Sequence, residues 1–150
     1  MADELRAWNQ GRGIDLESWV GASGNFRLAV GYATILWPPL VEFDGYILHD
    51  GFSIESLRSF ESSCKGDRRA VETVMNHRHI AALHYGCEDL SRDKVLLLGH
   101  TLRDIYEAKL AWQFPSCPCT VSFHVPAEPD DLINYEVSFW QKAHELPHEA

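Results

Sequence analysis

Histidine is the residue type in this chain with the widest chemical range, and three of the eight copies stand close together. These are His77, His79 and His84, with His100 further along. Neutral imidazole ligates zinc at about 2 Å, but a site needs two or more ligands converging on one point. A helix achieves that at i and i+4, and none of these four stands three or four residues from another. His77 and His79 are two apart, which on a helix turns them to different sides, while a strand or loop turns them together. A metal site drawn from His77, His79, His84 and His100 is therefore the alternative reading. Surface or hydrogen-bonding histidines are the preferred one, and no cofactor is expected.

The other chemical candidates each have a plainer reading that wins. Cys117-Pro118-Cys119 offers two thiolates at CxC spacing, yet cysteine is also a common small core residue, and this pair sits at a turn before a strand. His100 and Asp104 are i and i+4 with Glu107 close by, but no nucleophile motif such as GxSxG accompanies them. Arg103 with Glu107 points instead to a solvated, ion-paired helix face. Gly11-Arg12-Gly13 and Gly21-x-x-Gly24 are too short for phosphate loops. Lys65, Arg68, Arg69 and Arg78 are interspersed with Asp67 and Glu72, as on an ordinary helix surface. Lys109 falls in an apolar stripe, where its stem snorkels past the core or its amine meets a buried acid; snorkelling is the reading preferred.

Glu128-Pro129-Asp130-Asp131 is the most suggestive stretch. Pro126 and Pro129 stiffen it, and a stiff acidic projection suits a basic surface on a partner because less order is lost on binding. Glu128, Asp130 and Asp131 are expected to be exposed and free of internal partners. Glu136, facing outward on the next strand, extends the same patch.

The element that must position all of these is a helix from Ser91 to Gln113. Ser91 stands at the N-cap, Asp93 in the first turn and Pro115 just past the end. Val95, Leu98, Leu102, Ile105 and Trp112 form its stripe. Asp15 caps a short helix through Trp19 and Val20, and Gly21 to Asn25 is a turn. Phe26 to about Leu36 is a second helix, apolar enough to be buried on most sides. Asp44-Gly45 marks a hairpin that sets Phe43 opposite Tyr46 and Val41 opposite Leu48 on one face. Ser53 caps a helix to about Ser62 and Asp67 another through Met75, which ends near Asn76 or runs on to His84, with a stop at Tyr85-Gly86. Cys119 to Val125 alternates, as does Ile133 to Trp140, giving two more strands. Gln141 to Ala150 reads as a frayed polar tail.

Composition bounds the rest. The chain has 150 residues, 45% of them apolar, enough for one core, and it reads as a single domain over 1–150. The net charge is −9, with 3 basic and 8 acidic residues after position 100, which repels nucleic acid and allows a basic protein partner. The start of the chain lacks the apolar core of a signal peptide, and no run spans a bilayer. The four cysteines match no disulfide framework, so a cytoplasmic protein with free thiols is expected. The fold class is α+β: a helical domain built around one long central helix, with two β-hairpins forming a small, mostly antiparallel sheet. Two functions follow, a protein-binding module of inhibitor or immunity type, or a small metal-dependent enzyme using the histidines of 77–100. Whether the chain is an enzyme is open at this level.

Overall fold

The computed structural model describes residues 1–84, 86 and 88–145. The chain divides into two compact units, Met1–Leu36 and Trp37–Ala150. The first holds three helices, α1 (Ala2–Gly11), α2 (Leu16–Ser23) and α3 (Phe26–Leu36). Asp15 caps α2 as expected, accepting from the Ser18 amide, but the helix runs on through Gly21-Ala22-Ser23. Helix α1 is kinked, with Asn9 and Gln10 in left-handed conformations. None of the three helices contains a buried residue. This corrects the expectation that α3 is enclosed. Three short helices in a unit of this size have too little material for a core.

The second unit carries the core. It holds β1 (Leu40–Phe43), β2 (Tyr46–His49), α4 (Ile54–Ser63), α5 (Arg68–Met75), β3 (Arg78–His79), α6 (Arg92–Gln113), β4 (Cys119–His124) and β5 (Glu136–Gln141). The class is α+β, with one long helix and two small antiparallel sheets. The hairpin is as expected. Asp44 and Gly45 both take positive φ, and the register pairs Phe43 with Tyr46 and Val41 with Leu48. Tyr46, Leu48, Leu57 and Val71 form an apolar cluster between this hairpin and helices α4 and α5. Ser53 and Asp67 cap α4 and α5 through the amides of Ser56 and Ala70. Helix α5 stops at Met75, and Tyr85 of the expected stop lies outside the described residues.

Strand β5 is the middle of the second sheet, in the order β3-β5-β4. Helix α6 lies on the face that carries Val121, Phe123, Val137 and Phe139. Its buried residues are Val95, Gly99, Leu102, Tyr106, Lys109 and Leu110, while Leu98 and Trp112 of the expected stripe are exposed. A Cβ on Gly99 would stand 2.1 Å from the Phe123 ring, so glycine is what lets helix and sheet approach there. Lys109 is buried, and among the described residues its ammonium meets no acid. Its ammonium lies 5.0 Å from the ring centres of both Trp37 and Trp112.

The long alternating run does not start at Ile133. Leu132–Asn134 is a 3-10 turn, and the strand begins at Glu136. Beyond Val137 strand β3 has ended, which leaves that edge of β5 without a strand partner. Side chains from α5 complete it. Asn76 donates to the carbonyls of Phe139 and Ile47, at 3.2 and 2.9 Å. Glu72 accepts from the amides of Ile47 and Gln141, at 2.9 and 2.8 Å. Two fully buried side chains one helical turn apart thus join the open edges of β2 and β5.

Glu72 also receives the Gln141 side chain and His144 Nδ1, both at 2.8 Å. The expected frayed tail is therefore docked as far as Glu145, whose carboxylate takes bonds from Thr120 and Trp140. Residues 146–150 lie outside the described residues.

Candidate metal centre

Helix α5 ends at Asn76, so His77 stands in the connection and His79 on strand β3. An extended chain turns residues two apart to the same side, and the divergence that a helix imposes on His77 and His79 is removed. Strand pairing then adds a carboxylate, because His79 is in register with Glu136 of β5. His77, His79 and Glu136 each offer a ligand atom within 4.8 Å of the others. His79 Nε2 is 3.6 Å from Glu136 Oε2, and the two imidazoles meet edge to face at 5.2 Å.

Both rings are held from behind. His77 Nδ1 bonds the Val74 carbonyl, and His79 Nδ1 bonds the Ile133 carbonyl at 2.8 Å. A carbonyl only accepts, so each Nδ1 carries a proton, and in the neutral ring the lone pair is on Nε2. Metal-binding histidines are oriented in this way, by a second bond to a backbone carbonyl or carboxylate. Ligand atoms around tetrahedral zinc stand roughly 3.4 Å apart at bond lengths of about 2.0–2.1 Å. The His79–Glu136 spacing meets that already. The other separations lie within 4.8 Å, and the member that has to move to close on a metal is the exposed His77.

The surroundings are open and polar. A depression of about 480 Å³ is lined by Asp67, Arg69, Thr73, His77 and Glu136, among others. A smaller one of about 190 Å³ shares Arg69, Thr73 and Glu136 and adds Ser122, His124, Ser138 and Trp140. No protein-family model matches the chain, and no curated protein or solved structure matches it. The site therefore stands on its own geometry.

Of the four histidines expected as an alternative metal set, two converge. His84 is exposed and lines a separate depression, which His79 borders too. His100 packs edge to face on Phe123, 5.0 Å between ring centres. The His100–Asp104 dyad does not form, since Arg103 takes Asp104 at 2.7 Å, in preference also to the Glu107 expected as its partner.

The acidic set is divided as well. Glu128 and Asp130 are exposed at the loop tip. Asp131, expected without internal partners, accepts from Asn134 at 2.7 Å. Glu136 stands beside His77 and His79. The loop itself is anchored where the Tyr135 hydroxyl donates to the Pro129 carbonyl at 3.1 Å.

The thiols lie elsewhere. Cys64, Cys117 and Cys119 are free, and Cys87 lies outside the described residues. Burial pushes the Cys119 thiol up to about 12, which makes it a poor nucleophile. The basic residues scatter: Arg68 lies over Tyr46 at 3.9 Å and Arg69 over Trp140 at 4.8 Å. Sequence reasoning missed Glu136 as a member of the His77, His79 cluster. The available signal was the extended reading of His77-Arg78-His79, which makes a strand partner a source of a third group.

Proposed function

We propose that the protein binds one divalent transition metal, zinc in the first instance, through His77, His79 and Glu136. The observation that carries this is the pair of backbone carbonyls behind the rings, which leaves both Nε2 atoms as ligands beside a carboxylate. Two histidines and one carboxylate with open positions is the ligand set of catalytic rather than structural zinc. A bound ion of this kind activates water and polarises oxygen ligands, so the reading leads toward a small metal-dependent hydrolytic enzyme.

Two further statements belong to this proposal. A cytoplasmic location is supported by the free thiols of Cys64, Cys117 and Cys119. Avoidance of nucleic acid is supported by the net charge of −9. Among the described residues no helix is long and apolar enough to cross a membrane. The inhibitor or immunity reading rests on acidic loop residues, of which Glu128 and Asp130 remain without side-chain partners among the described residues, and no contact in the site favours it.

The test is a zinc titration of untagged, chelator-treated protein with metal analysis after dialysis. One equivalent is expected for the wild type and none for a His77→Ala, His79→Ala double variant that retains the wild-type unfolding midpoint. Equal zinc retention by both proteins overturns the assignment.

A further inference from the structure

The two depressions beside the candidate metal share three lining residues, Arg69, Thr73 and Glu136. They form one trough that runs from the ligand cluster along the outer edge of α5. Its floor is one face of the sheet. Strand pairing places Glu136 beside His124 and Ser138 beside Ser122, and Trp140 follows on the same side of β5. The far end is marked by Arg69, whose guanidinium rests over the Trp140 ring at 4.8 Å.

Of the donors in this trough, Thr73, Ser138 and Trp140 are already used within the protein, and Arg69, His124 and Ser122 remain. Among the described residues the Arg69 guanidinium makes no hydrogen bond and no ion pair. Neither His124 nor Ser122 has a side-chain hydrogen bond. Two nearby acids accept hydrogen bonds from neutral donors, and after the Thr120 and Trp140 bonds the Arg69 charge helps to hold the Glu145 carboxyl below its ordinary value. Asp67 accepts from the Ala70 amide, and Glu145 accepts from Thr120 and Trp140. Stacking on an indole also fixes the plane of Arg69 in advance, which reduces the order lost when its fork of N–H groups meets an anion.

We infer that this trough binds a small molecule carrying a phosphate-type oxyanion, held by Arg69, His124 and Ser122, with a further oxygen directed to the metal. Phosphate matches the set better than a carboxylate does. It is tetrahedral and presents acceptors both to a bidentate guanidinium and to donors on another strand. A metal at His77, His79 and Glu136 adds positive charge at the near end, where Glu136 alone would repel an anion. The inference rests in part on the metal reading, but the Arg69 end is testable without it.

The experiment is calorimetric titration of inorganic phosphate into the metal-free and the zinc-loaded full chain, at low ionic strength. Phosphate is expected to bind both, more tightly with zinc, and to bind Arg69→Gln about tenfold more weakly in both states. His124→Ala, on a different element, is expected to weaken phosphate as well, while both variants take up zinc as the wild type does. Malonate at the same concentrations is expected to bind several-fold more weakly. If zinc binds and Arg69→Gln and His124→Ala leave the phosphate affinity unchanged, the trough is overturned and the metal reading stands. If zinc fails to bind yet phosphate affinity still falls in Arg69→Gln, the trough is supported and the metal reading is lost. Malonate binding as tight as phosphate overturns the assignment to a phosphate-type ligand.

Discussion

Glu72 and Asn76 occupy the same short stretch as His77 and His79, yet the two pairs live under opposite conditions. Glu72 and Asn76 are wholly buried, and their partners are backbone groups that no strand reaches. Every oxygen of Glu72 is used, by two amides, an amide side chain and an imidazole. His77 and His79 are at the surface, each tied by Nδ1 to a backbone carbonyl, and Nε2 of His79 stands 3.6 Å from Glu136 Oε2. Asn76 commits its amide N–H groups and leaves Oδ1 without a partner among the described residues, so it is Glu72 that is fully satisfied in the dry interior. Pre-oriented groups with an unused lone pair at a wet surface do little for stability and are available to a ligand. The boundary between the two is the end of α5.

That contrast is broken most severely at Glu72. In Glu72→Ala the Ile47 and Gln141 amides lose their acceptor inside the protein, where a replacement water has little room. The expected loss is ~3 kcal/mol or more, read as a fall in the urea midpoint with an unchanged slope. Glu72→Gln should lose nearly as much, because half of its amide presents N–H to N–H. A Glu72→Ala protein with a wild-type midpoint would show that β2 and β5 do not need the bridge.

Acid should strain the same buried region next. His49 lies between the Tyr106 and Phe139 rings, 5.8 and 5.4 Å between centres. Burial lowers its pKa from 6.5 to about 4, with the nearby Arg78 charge adding to this. The unfolded chain therefore takes up the proton first as pH falls. His49 adds nothing to pH dependence above about pH 6.5. Stability falls between there and about pH 4, by roughly 3 kcal/mol in all. Unfolding midpoints measured at pH 7.5, 6 and 4.5 should drop progressively, and His49→Phe should flatten that part of the profile. The opposite slope, with stability rising toward pH 4.5, would refute the assignment.

At the exposed pair the expected response is to metal rather than to mutation. Zinc at a hundred times its dissociation constant should stabilise the wild type by about 2.7 kcal/mol. His79→Ala should unfold near the wild-type midpoint without metal and show no upward shift with it. A stabilised His79→Ala protein would move zinc to some other site.

How legible these two regions are differs for the same reason that their chemistry differs. Local signals are written in adjacent residues. Ser53, Asp67 and Asp15 cap helices because their short oxygens reach amides three residues on. Asp44-Gly45 closes its hairpin with both residues at positive φ, and Arg58, Arg68 and Gln141 bond to the turn from other elements. Ser91 and Pro115 bracket α6 as expected, although the Ser91 hydroxyl donates to Asp93 and caps no amide. The burial of Glu72 depends instead on strand edges far along the chain, and nothing in Arg-Arg-Ala-Val-Glu separates it from a solvated helix surface. The face of α6 could not be read from its leucines, because Gly99 and Lys109 are on the buried side and Leu98 is not. The site shared this difficulty. His77 and His79 are visible as a pair, but their convergence depends on α5 stopping at Met75. The carboxylate beside them comes from a strand whose pairing with β3 has only two residues.

The smallest effect is expected at the acidic loop, and it separates exposed charge from tethered charge. Glu128 and Asp130 project from a stretch whose backbone is held by the Tyr135 hydroxyl on Pro129 and by the Asp131 amide on Glu128. Those bonds use main-chain oxygens and survive changes to the side chains. Glu128→Gln with Asp130→Asn should therefore leave the unfolding midpoint where it was, since exposed charges without partners contribute little to stability. Asp131→Ala differs, because it removes the acceptor that Asn134 uses at 2.7 Å. Asn134 belongs to the 3-10 turn whose Ile133 carbonyl positions His79. A loosened turn should reach the candidate metal site, so Asp131→Ala should weaken zinc several-fold while the Glu128, Asp130 double variant leaves it unchanged. Comparing the zinc titrations of the two variants at equal ionic strength checks this. Equal weakening in both would mean that the loop acts through its long-range field and not through the turn.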